Sequence, residues 1–406
     1  MKNKTTAAIV GAGPAGMILA YLFARQRIDV VLFEMQADFN RDFRGDTVHA
    51  STLELFDKLG LIDEVLSLPH QKIEQISVTS NGKTVPLVNF SRLPSKYPYM
   101  ALMPQADLLQ FLYEKCLKLP SFTCLTGAPV QSLMEADGRV IGLQYQHHGR
   151  QLEMHADLVV AADGRHSHLR KLSGLSAITA SAPMDVAWCR LPREPSDPTN
   201  AAGFYIERGK MLVLLGRKDN WQLGYVFAKG DFGEVKKNGI AAFRANIGDI
   251  APDFLQHRAP HIESWDQVHL LNIQSDHLTT WHKPGLLLIG DAAHIMSPVG
   301  GVGINCAVSD AIATANVLSK PLLEKTLQDE HLALVEQQRR RATNIIQRLQ
   351  SVIQQRIVKL ALNEKPFALP WPARFILSMP GLRNVPAKIF ALGPTPTRLE
   401  IEIPPV

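Results

Sequence analysis

Residues 5–34 constrain this chain more than any other stretch. Residues 5–10 are a short apolar run that reads as a buried strand, Gly11-Ala12-Gly13-Pro14-Ala15-Gly16 fits G-x-G-x-x-G, residues 17–27 carry an apolar helical face, and residues 30–33 form a second strand ending at Glu34. Strand, glycine turn, helix and strand in this order make a βαβ unit, which commits the chain to a parallel sheet with helices on its faces. The glycines allow a tight turn and the close approach of a pyrophosphate, and the helix amino end faces its negative charge. Glu34 stands where it can accept hydrogen bonds from ribose hydroxyls. Dinucleotide binding is the expectation, without a choice between NAD and FAD.

Two further stretches end strands in the same way. Residues 156–162 are a buried strand terminating in Asp163-Gly164, followed by Ser167 and Arg170. Residues 286–289 are wholly apolar and stop at Gly290-Asp291, which puts a carboxylate at a strand's carboxyl end, where open α/β sheets bind ligands. Gly300, Gly301 and Gly303 then make a loop whose bare N–H groups can approach a ligand. Residues 305–313 read as a helix start behind it, favouring negative charge there.

The chain has 406 residues, 46% hydrophobic and 20% charged, which suits a soluble globular protein long enough for two domains. A net charge of +5 without a sustained basic stripe argues against a nucleic-acid partner; Arg339-Arg340-Arg341 fits a helix surface. Cys116, Cys124, Cys189 and Cys306 show no C-x-x-C or metal spacing, which fits free thiols in a reducing cytoplasm. His147-His148 and His166-x-His168 lack a matching carboxylate or thiol set, so no metal site is expected. The uncharged run 7–24 behind Lys2 and Lys4 superficially passes for a signal or membrane segment, but its glycines and Pro14 split it into strand, turn and helix.

Between these stretches the hydrophobic period changes. Asn81-Gly82 joins alternating runs around Ile76 and Val85 as a hairpin, and Asp137-Gly138 turns a ribbon between residues 130–133 and 140–143. Residues 108–119 read as a helix. Within 180–280, short strand-like pieces with Trp188, Phe204, Tyr205, Trp221, Tyr225 and Phe227 suggest a mostly antiparallel sheet that could wall a ligand pocket. Residues 329–362 form one long helical pattern, and 366–393 an apolar, proline-punctuated tail expected to pack across the domain junction or to touch a membrane surface. The expected division is 1–71, 101–179 and 281–328 for a cofactor domain, 72–100 and 180–280 for a β-rich substrate domain, and 329–406 for the long helix and tail.

The three glycine-turn stretches, in this order and spacing, resemble the class A flavoprotein monooxygenases, the aromatic-ring hydroxylases related to p-hydroxybenzoate hydroxylase and to the ubiquinone-pathway hydroxylases. The resemblance spans essentially the whole chain. It implies an α/β fold in which a Rossmann-like FAD-binding domain is interleaved with a β-sheet substrate domain, followed by a C-terminal helical segment. It further implies that Gly11, Gly13, Pro14, Ala15, Gly16 and Glu34 hold the ADP half of FAD, and that Arg44, Gln105 and Val130 touch the cofactor. Asp163 and Gly164 look like the family's DG motif, Asp291 would bond the ribityl chain, and Pro298, Gly301, Val302, Gly303, Ile304 and Asn305 would lie against the isoalloxazine. Val302 stands where many members carry Gln, at a position that acts through its backbone.

The implied reaction is NAD(P)H-driven hydroxylation of an aromatic or quinone-like molecule by O2 through a flavin C4a-hydroperoxide. With one dinucleotide fingerprint, NAD(P)H is expected as a transient co-substrate without a Rossmann unit of its own. His49 and Tyr225 are the candidate groups for ionising a phenol. Asp291→Ala is expected to weaken FAD retention far more than Asp310→Ala. A halogenase or prenyl-chain reductase on the same fold, or a non-catalytic flavin-binding redox sensor, are the alternatives; the Trp-x-Trp-x-Ile-Pro signature of tryptophan-type halogenases is absent.

Overall fold

Strand Lys4–Val10 lies between Val30–Phe33 and Arg150–Ala161, parallel to both, in a computed structural model that describes residues 3–39, 46–199, 201–363, 367–368, 370–379 and 382–404. Arg44 falls outside the described residues. Phe122–Leu125 extends the parallel set beyond Val30–Phe33, and Leu286–Leu288 extends it beyond Arg150–Ala161. Parallel pairing brings the carboxyl ends of these strands to one edge, so the turns after Val10, Phe33, Ala161 and Leu288 become neighbours. The ladder continues into them: Gly11 donates to Phe33 O at 2.7 Å, Ala162 to Val10 O at 2.8 Å and Ile289 to Ala161 O at 3.0 Å.

Helix Pro14–Arg25 packs between Gly303–Leu323 and Gln105–Cys116. Every residue after Pro14 is buried, which explains why this helix is apolar all round rather than along one stripe. The hairpin and ribbon turns form as expected. Asn81 and Gly82 have φ of 49° and 70°, and Asp137 and Gly138 have 49° and 74°, the left-handed pairs that match strand twist in a two-residue turn.

A second sheet of seven strands runs His269–Leu271, Met184–Pro192, Asn220–Ala228, Lys210–Gly216, Ala202–Glu207, Gln75–Ser80, Lys83–Asn89. The hairpin of residues 75–89 therefore joins strands more than a hundred residues later, through the parallel pairing of Gln75–Ser80 with Ala202–Glu207. A ribbon, Ala177–Ser181 with Gln274–Leu278, lies outside both large sheets and pairs with His294–Ile295.

Residues 180–280 are not sheet alone. Phe232–Lys237, Gly239–Ile250 and Asp253–Gln256 are helical, and Phe243, Ile247 and Ile250, spaced four and three apart, insert into a cluster with Leu212, Leu214, Leu223 and Tyr225. The expected helix 329–362 is Asp329–Ile353 continued through a π-helical stretch, Gln354–Val358, into Lys359–Ala361. No helix among the described residues is long and apolar enough to cross a membrane.

Candidate active site

The glycine turn after the first strand is shaped by close approach. Gly11 has φ of 100°, and a Cβ there would sit 2.7 Å from the carbonyl carbon of Ala162. The turn of the first motif and that of the second thus touch only because position 11 has no side chain. Gly13 caps helix Pro14–Arg25 without a side-chain hydrogen bond, and the first turn holds no acidic residue. Its free N–H groups and positive dipole end therefore face the strand edge unneutralised, as a pyrophosphate requires. Ala15 and Gly16 are buried at the base of this turn. Glu34 is buried; its carboxylate accepts from Ala12 N–H at 2.9 Å and Gln36 N–H at 3.1 Å, so it braces the glycine turn as well as edging the site. Val130 opens the next ribbon beside this edge, where Ala128 donates to Glu34 O at 2.9 Å.

Asp163 turns inward. It accepts from Ser167 Oγ, from His168 N–H at 2.8 Å and from Leu169 N–H at 3.1 Å, anchoring the start of helix His168–Ser173 while Gly164, at φ of 79°, reverses the chain. Burial pushes its carboxyl up from the usual range, and those hydrogen bonds offset part of the rise. The second and third motifs meet where Arg165 Nη2 lies 3.9 Å from Asp291 Oδ2. Gly290, at φ of 60°, is wedged between Ala15 and Ala307, so this turn is packed against both central helices.

The loop Pro298–Asn305 is held from one side by residues 47–52. Thr47 Oγ1 donates to Gly301 O at 2.5 Å, His49 Nε2–H to Gly300 O at 3.0 Å, and Asn305 Oδ1 accepts from His49 N–H at 3.0 Å and Thr52 Oγ1 at 2.7 Å. Gly301 has φ of 63°, and a Cβ there would meet Thr47 Oγ1 at 2.6 Å. Pro298 is exposed; Val302, buried, precedes helix Gly303–Leu323, whose first turn carries neither a side-chain cap nor an acid. The N–H groups of Gly303, Ile304 and Asn305 thus present a second uncapped helix end.

Both groups named as candidate bases are buried. His49 is wholly buried and its ring is pushed down to about 4 by that burial, so it is neutral and serves to clamp Gly300. Tyr225 alternates onto the outer face of the second sheet, under Phe243 at 5.5 Å between ring centres. The opposite face is the one that packs towards Val299: Val186, Val226, Met211 and Ile206, with Trp188, Phe204 and Val213 half-buried. Trp188 lies across Gly224, where a Cβ would come within 3.0 Å of its ring.

Sequence reasoning missed a polar corner of that face. Gln222 lies between the outward-packed Trp221 and Leu223 and is paired in register with Arg190 and Leu215 on the neighbouring strands, so it points to the Val299 side. Arg217 donates from Nε to Gln222 Oε1 at 3.0 Å and from Nη2 to Asp46 at 2.6 Å, while its Nη1 is buried with no partner among the described residues. Asp46 stands next to Thr47, and the N–H of Gln105 bonds to its carboxylate. Burial pushes the Asp46 carboxyl up and Arg217 pulls it back; burial also lowers the Arg217 guanidinium.

Also missed was the carboxylate behind Gly290. Asp310 is wholly buried and accepts from Gly290 N–H at 3.0 Å, His294 Nε2 at 2.6 Å and Arg339 Nε at 2.8 Å. Asp310 thus braces from behind the turn that presents Asp291. A lone carboxylate in the run from Cys306 to Ala315 was the available signal, since such a group is buried only with partners.

The residues fit FAD on this structure's own terms: two uncapped helix ends face one strand edge, and the glycine cradle would be filled by any Cβ. The model of the family described as FAD binding domain matches residues 4–349. The chain is 31% identical over 387 residues to 6-methylpretetramide 4-monooxygenase of Streptomyces rimosus, covering 95% of this chain and 92% of that one. It is 26% identical over 329 residues to 3-(3-hydroxy-phenyl)propionate/3-hydroxycinnamic acid hydroxylase of Burkholderia cenocepacia, covering 76% of this chain and 56% of that longer protein. Its fold is similar to pqsL, a probable FAD-dependent monooxygenase from Pseudomonas aeruginosa, with a TM-score of 0.75 and 20% identity over 90% of this chain and 98% of that one. The chain therefore belongs to the class A FAD-dependent monooxygenases, the aromatic-hydroxylase family, and is an enzyme that uses FAD.

Proposed function

We propose that this monooxygenase hydroxylates a planar aromatic or quinone-like molecule that presents an acidic oxygen, a phenol or enol, to Arg217. The observation that carries this reading is the buried Nη1 of Arg217, without a partner among the described residues, beside Gln222 of the sheet face that packs towards Val299. Leaving such a donor unpaired costs about 1–3 kcal/mol, which an acceptor brought by a substrate would recover. Trp188, Phe204 and Val213 offer the flat apolar wall that a ring system fits, and Arg217 is the cationic corner beside it.

When bound, FAD supplies the activation of O2 with electrons from NAD(P)H, so that substrate–H, O2, NAD(P)H and H+ become substrate–OH, H2O and NAD(P)+. The chain's own residues do the rest. Gly11, Gly13, Pro14, Ala15, Gly16, Glu34 and Val130 take the ADP half, Gln105, Asp163, Gly164 and Asp291 the middle, and Pro298, Gly301, Val302, Gly303, Ile304 and Asn305 the ring. Arg44 remains an expectation from the resemblance. The N–H groups of Gly303, Ile304 and Asn305 stabilise negative charge on the ring edge they face. Arg217 favours the ionised form of the substrate oxygen, which raises electron density at the carbon to be hydroxylated. The substrate wall excludes water from the reacting atoms.

A panel of phenols, naphthols and polycyclic enols, each beside its O-methyl ether, tests this by NAD(P)H oxidation. Acidic-oxygen compounds should accelerate oxidation and yield hydroxylated product, and Arg217→Met should raise their KM about tenfold or more. Equal stimulation by the ethers would sink the anchor role.

The tail adds a partner to this reading, an anionic bilayer surface. Trp371 is 77% and Phe375 53% exposed on helix Trp371–Ser378, with Leu382 and Val385 also exposed nearby. Around them the sequence holds Arg356, Lys359, Lys365, Arg374, Arg383 and Lys388 against Glu364. Aromatic and basic side chains together suit an interfacial segment. Sedimentation with phosphatidylglycerol vesicles, lost in a Trp371→Ala/Phe375→Ala variant, is expected; equal binding to phosphatidylcholine vesicles would remove the charge argument.

A further inference from the structure

The ribbon Ala177–Ser181/Gln274–Leu278 and helix Asp329–Ile353 enclose a groove of about 260 Å³. Among the described residues, none expected to contact FAD lines it. Alternation along Gln274–Leu278 turns Ser275 and His277 into the groove and sends Asp276 to the other side, where it pairs with Arg170 at 3.0 Å. The helix contributes Asn344, Arg348 and Ser351. The lining contains no carboxylate, and these five side chains have no hydrogen-bond or ion-pair partner among the described residues.

The floor holds one unmet acceptor. Gln350, 1% exposed, turns Nε2 to two carbonyls, Ser297 O at 2.8 Å and Val299 O at 2.7 Å. Two acceptors on one end can face only the NH2 group, so the amide orientation is settled by its partners. Its Oε1 is left buried, with no partner among the described residues. A fitting ligand must therefore bring negative oxygens for Arg348 and His277 and also one hydrogen-bond donor for Gln350. Phosphate meets both requirements near neutral pH, because its mono- and dianion each keep a P–OH. Sulfate has the same size and charge but no O–H.

We infer that this groove is a binding site for a phosphoryl group, distinct from the FAD site. Arg348 and His277 hold its anionic oxygens, Ser275, Ser351 and Asn344 add hydrogen bonds, and Gln350 Oε1 accepts from the P–OH. Since the same Gln350 amide grips Ser297 and Val299, occupancy also steadies the segment that leads into the Pro298–Asn305 loop.

Isothermal titration of the FAD-loaded protein with inorganic phosphate in Hepes at pH 7 tests the assignment. One saturable site is expected, with phosphate bound at least about threefold more tightly than sulfate. Arg348→Gln, a change at an exposed position, should leave the melting temperature unaltered and weaken phosphate about tenfold, and His277→Gln should weaken it too. Gln350→Leu should abolish the preference for phosphate over sulfate while sulfate still binds. Steady-state kinetics identify the source of the phosphoryl group. A KM for NADPH raised by Arg348→Gln, with that for NADH unchanged, assigns the groove to the nucleotide's extra phosphate; equal KM values assign it to a separate metabolite. Absence of a saturable heat up to millimolar phosphate, or wild-type affinity in both Arg348→Gln and His277→Gln, overturns the inference.

Discussion

Nε2 of His294 lies 2.6 Å from Oδ2 of Asp310, and neither side chain meets solvent. The same carboxylate takes Arg339 Nε at 2.8 Å and the N–H of Gly290 at 3.0 Å. Burial alone would raise the Asp310 carboxyl, but His294 and Arg339 together hold it below the usual range. The turn that presents Asp291 thus rests on a buried ionic knot between the helices Gly303–Leu323 and Asp329–Ile353.

Asp310→Ala should therefore cost stability before it costs chemistry. Removing it strands a buried guanidinium, a loss of about 3–5 kcal/mol. Asp291→Ala, at a half-exposed position, should leave the denaturation midpoint close to wild type and lower FAD retention. Urea unfolding beside flavin release on gel filtration separates the two; a wild-type midpoint for Asp310→Ala would refute the structural role.

His49 makes stability depend on pH in a defined window. Its folded-state value of about 4 lies below the ordinary 6.5, so above pH ~6.5 both states are neutral and nothing is lost. As pH falls from there to about 4 the unfolded chain takes a proton that the folded chain refuses, and stability declines by up to roughly 3 kcal/mol. Comparing unfolding free energies at pH 7 and pH 5, the wild type should lose more than His49→Gln. Parallel losses would remove His49 from the account.

Gly11→Ala should fail severely, because its Cβ must enter the Ala162 backbone from a left-handed conformation. Colourless or insoluble protein is expected. Gly82→Ala shares a positive φ but meets open space, so it should fold, losing about 1 kcal/mol by thermal melting.

Gly224→Ala should push Trp188 off the substrate wall, since the new methyl lies 3.0 Å from the ring and 2.9 Å from Val186 Cγ1. A higher substrate KM with unchanged FAD content would report the displaced ring by steady-state kinetics. Unchanged kinetics would show that Trp188 does not border the substrate.

The thiols should be inert. Burial pushes Cys189 and Cys306 up to about 12, and Cys116 is buried too. Ellman's reagent should modify these three only after denaturation; rapid native labelling of any of them would contradict their placement.

Much of the strand edge and its turns was legible because the signals are local. Gly11 to Gly16, Asp163-Gly164 and Gly290-Asp291 each combine a buried strand with a turn whose chemistry depends on neighbours in sequence. The Asn81-Gly82 and Asp137-Gly138 turns were legible for the same reason. Helix Gly239–Ile250 was overlooked although Phe243, Ile247 and Ile250 keep helical spacing, since the strands around it dominated the pattern.

What the chain determined by itself is a parallel sheet with glycine turns at one edge, because strand period, turn residues and helix caps act over a few residues. Tertiary structure decided which face of the second sheet looks at that edge. Alternation tells that Tyr225 and Gln222 point oppositely, yet only the helices packed on Tyr225 say which way is out. It also decided the partners of Asp310, His49 and Arg217. Apart from Arg217 with Gln222, five residues on, those contacts join residues 16 to 256 positions apart, and burial, which sets their charge and their roles, exists only once the layers have closed.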